Sequence, residues 1–316
     1  MINIISRKSF NDVLYEWLDY KKQDVKESTY FRYLYQIETN ILPNIDDISF
    51  NKLSIKHIEN LFNDDDINKF SSSKKNVILI ILKSSINYGI SRNYRKSFEN
   101  IDIKFQKQNN KVSCFTKAEQ KKIIDYINEN MNLRNLLILV TLFTGLRIGE
   151  VCSLKGTDVD FINKTISVKR TVQRIKDTSN SKSKTKLVID KPKTKNSERI
   201  IPVPDFIIKL LKEYIIDKNN FIFTGNNIPK NPRAVEKYFA NLLKKIKIKN
   251  QSFHTLRHSY ATRLMEEKVD IKVISELLGH ADWKITESIY VHATLDYKKH
   301  LVNKLGNMWN KRKFEK

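Results

Sequence analysis

The amino-acid sequence predicts a mainly α-helical protein with a small antiparallel β-sheet, arranged as two domains. Its 316 residues are enough for two domains of ordinary size. Apolar residues recur with the 3.6-residue period of a helix through most of the chain, and they alternate with the two-residue period of a strand between residues 165 and 204. These patterns divide the chain into a helical domain (1–100), a polar linker (101–115), a larger domain of helices and sheet (116–300) and a C-terminal tail helix (301–316).

Four helices are predicted in the first domain. The first three are amphipathic, and the fourth follows the serines at 71–73, which can cap its first turn, and ends near Gly89. The acidic run "NDDDIN" at 63–68 is interpreted as a solvated loop. The apolar residues that define the first three helices are Phe10, Val13, Leu14, Trp17 and Leu18; Tyr30, Tyr33, Leu34 and Ile37; and Ile55, Ile58, Leu61 and Phe62.

The second domain opens with a capping box, because Thr116 and Glu119 have the spacing that caps a helix N-terminus. The next helix, "RNLLILVTLFTG", is apolar on nearly all sides, which predicts that it is buried, and it ends at Gly145. Further helices are expected from residue 205 onward. Between them, three alternating stretches predict the strands of a small antiparallel sheet, at 165–175, 186–190 and 199–204.

The positive charge of the protein is concentrated in the later part of the chain. The formal net charge is +23. Residues 1–100 carry 15 basic and 13 acidic side chains, whereas residues 101–316 carry 43 and 22, a net charge of +21. An excess of this size repels itself unless a polyanion neutralises it, which favours nucleic acid as the partner. A lipid surface is a weaker candidate, since no basic amphipathic anchor is evident.

The composition argues against several other classes of protein. The longest apolar runs, such as "LLILVTLF", are too short to span a bilayer, and the first ten residues lack the apolar core of a secretory signal. The two cysteines, Cys114 and Cys152, form no CxxC pair, which argues against a disulfide scaffold or a cysteine-based zinc site. We therefore expect a cytoplasmic protein without a membrane partner.

Two segments of the second domain gather basic and imidazole side chains. In "FHTLRHSYATRL" (253–264), His254 and Arg257 are three residues apart and so share one face of a helix, and His258 follows directly. In "TGLRIGEVCSL", Arg147 follows the glycine that ends the buried helix, and Glu150 comes three residues later. Taken singly, each of these groups is ordinary for the polar face of a helix.

Two further segments contribute lysines, a histidine and a tyrosine. "PKTKNSERIIPVP" places Lys193 and Lys195 in a predicted turn between strands. "LLGHADWKITESIYVHAT" places His280 after a helix-ending glycine and Tyr290 ten residues later. A lysine in a turn usually faces solvent, and a tyrosine on an amphipathic helix usually packs against the protein interior. The evidence for a function therefore lies in the order of all these residues along the chain.

In their order along the chain and in their short sequence motifs, these segments resemble the tyrosine recombinase family, which includes phage integrases and Xer-like proteins. "TGLRIGE", "HTLRHSYAT", "LLGHADWKIT" and "IYVH" each match a family motif, and the resemblance covers about residues 116–300. It implies an N-terminal helical core-binding (SAM-like) bundle that clamps DNA and a C-terminal α+β catalytic domain. It also implies a site-specific recombinase that cuts and rejoins double-stranded DNA at paired recombination sites as a synaptic tetramer, with or without accessory DNA-bending or directionality proteins.

The roles that this resemblance implies agree with the chemistry of a phosphodiester. Arg147 and Arg257 would grip the non-bridging oxygens, to which His280 would donate a hydrogen bond. Tyr290 would attack the phosphorus with His254 as proton acceptor, because a phenol with a pKa of about 10 needs a base at neutral pH. The product would be a covalent 3′-phosphotyrosyl link that conserves the bond energy, so neither a cofactor nor a metal is expected.

Three other positions complete the expected site. Lys193 is predicted to protonate the departing 5′ oxygen, and Lys195 is the alternative because the turn is one residue longer than in some family members. Glu150 is expected to hold Arg147 or a neighbouring imidazole in place. His258 is expected to support the site from behind, buried and hydrogen-bonded.

Two other functions share part of this pattern. A type IB topoisomerase uses the same chemistry to relax supercoils, but the short helical first domain and "LLGHADWKIT" favour a recombinase. A DNA-binding protein that has lost catalysis is the third hypothesis, against which the intact set of catalytic residue types speaks. The nearly neutral first domain is a departure from the family, whose first domain normally embraces DNA.

An apolar stripe with helical spacing follows Tyr290 in the tail. The resemblance implies that such a tail docks on a neighbouring protomer of a tetramer, and folding back onto its own domain is the alternative. The residues of the stripe are Tyr297, Leu301, Leu305 and Met308.

Overall fold

The computed structural model describes residues 8–106, 113–177, 184–191 and 198–280. The chain divides into two compact units, residues 1–110 and 111–316, and each has its own hydrophobic core. None of the helices described is long and apolar enough to cross a membrane. The predicted tail helix lies outside the described residues.

The first unit is a bundle of helices, as predicted. Ser9 and Asp12 form a capping box at the start of α1, and the Ser71 side chain accepts a hydrogen bond from Lys74 at the start of α5. A π-helical turn at Ile37–Ile41 continues the second helix. The helices are α1 (Phe10–Lys21), α2 (Glu27–Gln36), α3 (Ile55–Asn63), α4 (Asp65–Asn68) and α5 (Ser72–Ser91).

The acidic run at 63–68 forms a short helix, so the predicted solvated loop is wrong there. The carboxylate of Asp64 accepts hydrogen bonds from the backbone N–H groups of Asp66 (3.0 Å) and Ile67 (3.1 Å), which caps α4. Ile67 is buried in the core of the first unit. Local capping and one apolar anchor therefore order a segment whose composition resembles a loop.

Apolar side chains at both ends of the predicted linker (101–115) pack into the two units. Ile101 is buried in the core of the first unit, and Phe105 lies against Phe62 with ring centroids 4.9 Å apart. At the other end, Phe115 is buried in the core of the second unit. These apolar side chains attach the flanks of the polar stretch to the two units.

The second unit is built around α7, in which every residue from Asn135 to Leu142 is buried. Its first helix begins at the predicted capping box of Thr116 and Glu119. The helices are α6 (Lys117–Glu129), α7 (Leu133–Thr144), α8 (Ile148–Cys152), α9 (Asp205–Tyr214), α10 (Pro232–Lys245), α11 (His254–Glu266) and α12 (Ile271–Leu278).

Within the described residues, the strands form two small antiparallel sheets rather than the single sheet that the sequence predicts. One has the order β1-β2-β5, and the other pairs β3 with β4. The stretch 165–175, predicted as one strand, is divided because Arg170 leaves the ladder to bind the buried carboxylate of Asp158, with distances of 2.7 and 3.0 Å. The strands are β1 (Val159–Asp160), β2 (Thr165–Val168), β3 (Thr171–Lys176), β4 (Thr185–Asp190) and β5 (Arg199–Pro202).

Candidate active site

Arg147 lies at the junction between α7 and α8. α7 is capped by Gly145, whose φ of 64° is in the left-handed region that glycine adopts freely, and Arg147 directly precedes α8. The Glu150 carboxylate accepts hydrogen bonds from the backbone N–H of Arg147 (2.9 Å) and from its Nη1 (2.8 Å). The Arg147 side chain is 35% exposed, so a ligand can reach it from solvent.

Glu150 joins Arg147 to a second arginine from the sheet. Its carboxylate is 4% exposed and accepts hydrogen bonds from Arg199 in β5, from Nη1 to Oε1 (3.1 Å) and from Nη2 to Oε2 (2.9 Å). Burial by itself raises the pKa of Glu150, but the hydrogen bonds and charges of Arg199 and Arg147 outweigh it and hold the pKa below its ordinary value. A charged carboxylate therefore sits between two guanidinium groups.

Helix α11 contributes two histidines and a buried arginine. His254 is its first residue, and the ring of His258 lies edge-on to the ring of His254 with centroids 4.5 Å apart. Arg257 is 2% exposed, and it donates from Nη1 to the Gly145 carbonyl (2.7 Å) and from Nη2 to the Leu278 carbonyl (2.6 Å). The helix thus fixes Arg257 against the ends of both α7 and α12.

The last turn of α12 is bound by three arginines. The helix ends at Leu278 and is capped by Gly279, which has a φ of 65°, and His280 follows. Carbonyls at a helix C-terminus lack intrahelical partners and carry partial negative charge, so cations stabilise them. Three consecutive carbonyls each accept a hydrogen bond from a different guanidinium: Leu277 from Arg199 (2.7 Å), Leu278 from Arg257 (2.6 Å) and Gly279 from Arg147 (3.0 Å).

The three histidines of the site are held neutral at pH 7. Desolvation by the surrounding protein, followed by the charges of His258 and Arg257, lowers the pKa of His254 to about 4. Burial and then Arg257 lower the pKa of His258 to about 4, and burial followed by Arg257 and Arg147 does the same for His280. A neutral imidazole can accept a proton, as a general base must.

Six of the predicted site residues come together in the second unit. They are joined by one residue that was not predicted, Arg199. Arg199 has no predicted role, although it begins the "RIIP" segment (199–202) after the lysine turn. Within the described ranges, no group of three His, Cys, Asp or Glu side chains is placed to hold a metal ion. Lys193, Lys195 and Tyr290 lie outside the described residues. The six are Arg147, Glu150, His254, Arg257, His258 and His280.

Solved structures of other integrases share the fold of this chain, and two of them illustrate the likeness. The Tn1549 transposon integrase in complex with a circular intermediate DNA has a TM-score of 0.75 and 20% identity, and the match covers 94% of this chain and 99% of that one. A lambda integrase tetramer bound to a Holliday junction has a TM-score of 0.64 and 17% identity, over 88% of this chain and 76% of that one. The predicted fold class is confirmed.

The sequence of this chain is also similar to those of curated recombinases and integrases. A XerC-like tyrosine recombinase of Caldanaerobacter subterraneus is 33% identical over 226 residues, and a tyrosine recombinase of Thermosipho africanus is 35% identical over 208. These alignments cover 65% and 64% of this chain but only 56% and 65% of the two relatives. The integrase of a Staphylococcus phage is 27% identical over 337 aligned positions, 95% of this chain and 93% of that integrase.

Two family profiles match the two units. The profile of the phage integrase N-terminal SAM-like domain matches residues 9–64, within the first helical unit. The profile of the phage integrase family matches residues 113–296, which include the arginine and histidine cluster. Because this second match spans more than half of the sequence, the chain belongs to the phage integrase family.

Proposed function

We propose that this protein is a site-specific DNA recombinase that cuts and rejoins double-stranded DNA through a covalent 3′-phosphotyrosyl intermediate, for integration, excision or resolution. The observation that supports this most strongly is the placement of Arg147 and Arg257 on the end of α12, beside His254 and His280. Two guanidiniums with neutral imidazoles nearby suit a phosphodiester under attack. Family membership supports the same function.

The charge of the described side chains at this site matches phosphoryl transfer. Arg147, Arg199 and Arg257 contribute three positive charges and Glu150 one negative charge, while the histidines are neutral, which leaves two positive charges. A phosphodiester carries one negative charge and gains a second as the nucleophile adds. The site therefore stabilises the transition state more than the ground state, which is the requirement for catalysis.

The proposed reaction begins when the Tyr290 oxygen forms a bond to phosphorus and its proton passes to His254. The bond from phosphorus to the 5′ oxygen breaks, and Lys193 protonates that oxygen. A 5′ hydroxyl from the partner DNA then attacks the phosphotyrosyl link and reverses these steps. Because the link conserves the energy of the broken bond, the cycle consumes no nucleotide.

The general acid is proposed to be Lys193, with Lys195 as the alternative. A substrate with sulfur in place of the bridging 5′ oxygen discriminates them, because a thiolate leaves without a proton. Lys193→Ala should cleave the normal substrate poorly and the sulfur substrate well, whereas Lys195→Ala should cleave both alike. The reverse pattern would transfer the role to Lys195.

We extend the proposal to a synaptic tetramer on paired sites, with or without accessory proteins, in which the tail of one protomer docks on its neighbour. The lambda integrase structure in the comparison is a tetramer on a Holliday junction. Deleting residues 295–316 should abolish pairing of two sites while single-site binding survives. Unchanged recombination by the truncated protein would refute the exchange of tails.

A DNA nicked close to the cleavage point tests the function as a whole, because the short fragment diffuses away and traps the covalent complex. A recombinase should form that complex and should also exchange strands between two target sites. Covalent complex with relaxation of supercoils but no exchange would indicate a topoisomerase. Binding without any covalent complex would indicate a DNA-binding protein that lacks catalysis.

A further inference from the structure

Arg199 connects the acidic centre of the site to the end of α12. Its side chain is 6% exposed, and all three of its nitrogens donate hydrogen bonds to the protein. Nη1 and Nη2 bind the two oxygens of Glu150, and Nε binds the carbonyl of Leu277 (2.7 Å). One planar group thus fixes a carboxylate and a helix terminus relative to each other.

The contacts of Arg199 differ from those of the two proposed phosphate-binding arginines. Arg257 donates hydrogen bonds to two backbone carbonyls, those of Gly145 and Leu278. The Arg147 side chain is 35% exposed and binds the Glu150 carboxylate through only one nitrogen of its guanidinium, Nη1. Arg199 grips both oxygens of that carboxylate from the buried side, where its charge serves to keep Glu150 ionised.

We propose that Arg199 is a positioning residue for the phosphate-binding groups. By holding Glu150 and the Leu277 carbonyl together, it sets the Arg147 guanidinium and the end of α12, and with that end His280, in the geometry that binds the scissile phosphate. This inference rests on the proposed function, specifically on the roles of Arg147 and His280.

The loss of Arg199 has a definite expected consequence at Arg147. Glu150 would lose two hydrogen bonds and stay buried, which favours its protonated form, and a protonated carboxyl is a weaker partner for a guanidinium. The Leu277 carbonyl would lose its donor, which loosens the last turn of α12. Arg147 and His280 would then be displaced from the phosphate without any change in their own identity.

Arg199→Met tests this, with Arg170→Met as the matched control. Met keeps an apolar stem of similar length and removes the donors. Arg170 also forms a two-bond pair with a buried carboxylate, that of Asp158, so its loss costs the fold a comparable interaction. For each folded variant, the rate of covalent complex formation is measured in a single turnover with saturating enzyme.

The expected result is a rate lowered about 10-fold to 100-fold in Arg199→Met, as for a misplaced catalytic group. Arg170→Met should stay within about threefold of wild type, and DNA affinity should be unchanged in both variants. If Arg199→Met does not fold, Arg199→Lys serves, since a lysine keeps the charge but reaches only one of the partners; we expect an intermediate rate. A folded Arg199 variant with the wild-type rate, or an equal loss in Arg170→Met, would overturn the inference.

A substrate with a neutral methylphosphonate at the scissile position separates positioning from a merely structural role. The tyrosine oxygen still bonds to phosphorus and the 5′ oxygen still leaves, but less negative charge needs a guanidinium. The defect of Arg199→Met should shrink to within about threefold of wild type on this substrate. An equal defect of Arg199→Met on both substrates would overturn the inference. If the wild-type protein formed no covalent complex on the ordinary phosphate substrate, the proposed function on which the inference rests would be refuted instead.

Discussion

At the scale of single residues, the site combines cationic guanidiniums with imidazoles that remain uncharged. The desolvation of His254, His258 and His280, followed by the positive charges nearby, lowers the pKa of each to about 4. In the proposed mechanism the two kinds of group have separate tasks, because the arginines supply charge and the histidines exchange or share protons. An incoming phosphate anion would raise the pKa of the imidazole that faces it, which favours proton transfer to His254 during the reaction.

The free energy of unfolding of the second unit should decrease as the pH falls from 7 to 5. Between about 6.5, the ordinary histidine pKa, and about 4, the unfolded chain binds protons that these three folded histidines do not, so acid favours unfolding. The free energy of unfolding at each pH can be measured by urea titration, with hydrogen exchange of the α11 amides as the readout. His258→Phe removes one of the three groups and should lose less stability over the same interval. Equal stability of wild type at pH 7 and pH 5 would contradict the assignment.

At the scale of elements, the junction of α7 with α8 and the end of α12 fix the arginines through backbone atoms. A left-handed glycine follows each of these two helices, Gly145 after α7 and Gly279 after α12, and the carbonyls of these glycines accept hydrogen bonds from Arg257 and Arg147. The exact path of the backbone at these turns therefore decides where the guanidiniums lie.

Gly145→Ala should lower both stability and cleavage. The left-handed backbone costs alanine about 1–2 kcal/mol, and a Cβ at this position would lie 2.5 Å from Cδ1 of Tyr260. Gly225→Ala is the matched control, since its φ is 72° and nothing lies within 4 Å of the added Cβ. Thermal unfolding should show a lower melting temperature for both variants, with the larger decrease for Gly145→Ala. Only Gly145→Ala should also cleave at least about tenfold more slowly, because the carbonyl that binds Arg257 is displaced; equal rates in the two variants would contradict this.

The elements that could be predicted from the sequence are those fixed by local signals. Capping at Ser71 and Thr116 and the apolar period predict α5 and α6, because a cap and its helix lie within a few residues of each other. The division of the stretch 165–175 could not be predicted, because Arg170 binds Asp158 twelve residues earlier. The contact of Arg199 could not be predicted for the same reason, because its partner Glu150 lies 49 residues away along the chain.

The residue types that the structure brings together at the candidate site could be predicted from the sequence, but their contacts could not. The order of the motifs identifies Arg147, His254, Arg257 and His280, whereas the acceptors of the arginines are backbone carbonyls, which have no signature in the sequence. His258 was expected to be buried and hydrogen-bonded. In the structure it is half-buried, with its ring edge-on to that of His254.

At the scale of the whole molecule, the charge distribution separates the two units. Residues 1–100 are nearly neutral, and the net charge of +21 lies on residues 101–316 together with the site. If DNA is the partner, the second unit should supply most of the electrostatic attraction. The first unit would contribute shape and the length of the bound interface.

DNA binding should depend strongly on salt, because each neutralised phosphate releases condensed counterions. With six or more phosphates contacted, the affinity of the full chain should fall by about 10³-fold between 50 and 200 mM salt. A fragment of residues 111–316 should retain most of that slope. Affinities measured by fluorescence anisotropy across this range test both statements, and a change of less than about tenfold in the full chain would contradict them.

The most direct test of the account is to locate the covalent bond between protein and DNA. Wild-type protein on nicked DNA should give an adduct on a denaturing gel, and peptide mapping should place the nucleotide on Tyr290. Tyr290→Phe removes one oxygen, so it should fold and bind DNA within about 1 kcal/mol of wild type and form no adduct. Tyr297→Phe, the same change seven residues later, should form adduct as wild type does. An adduct on any other residue, or one that persists in Tyr290→Phe, would contradict the mechanism proposed for this site.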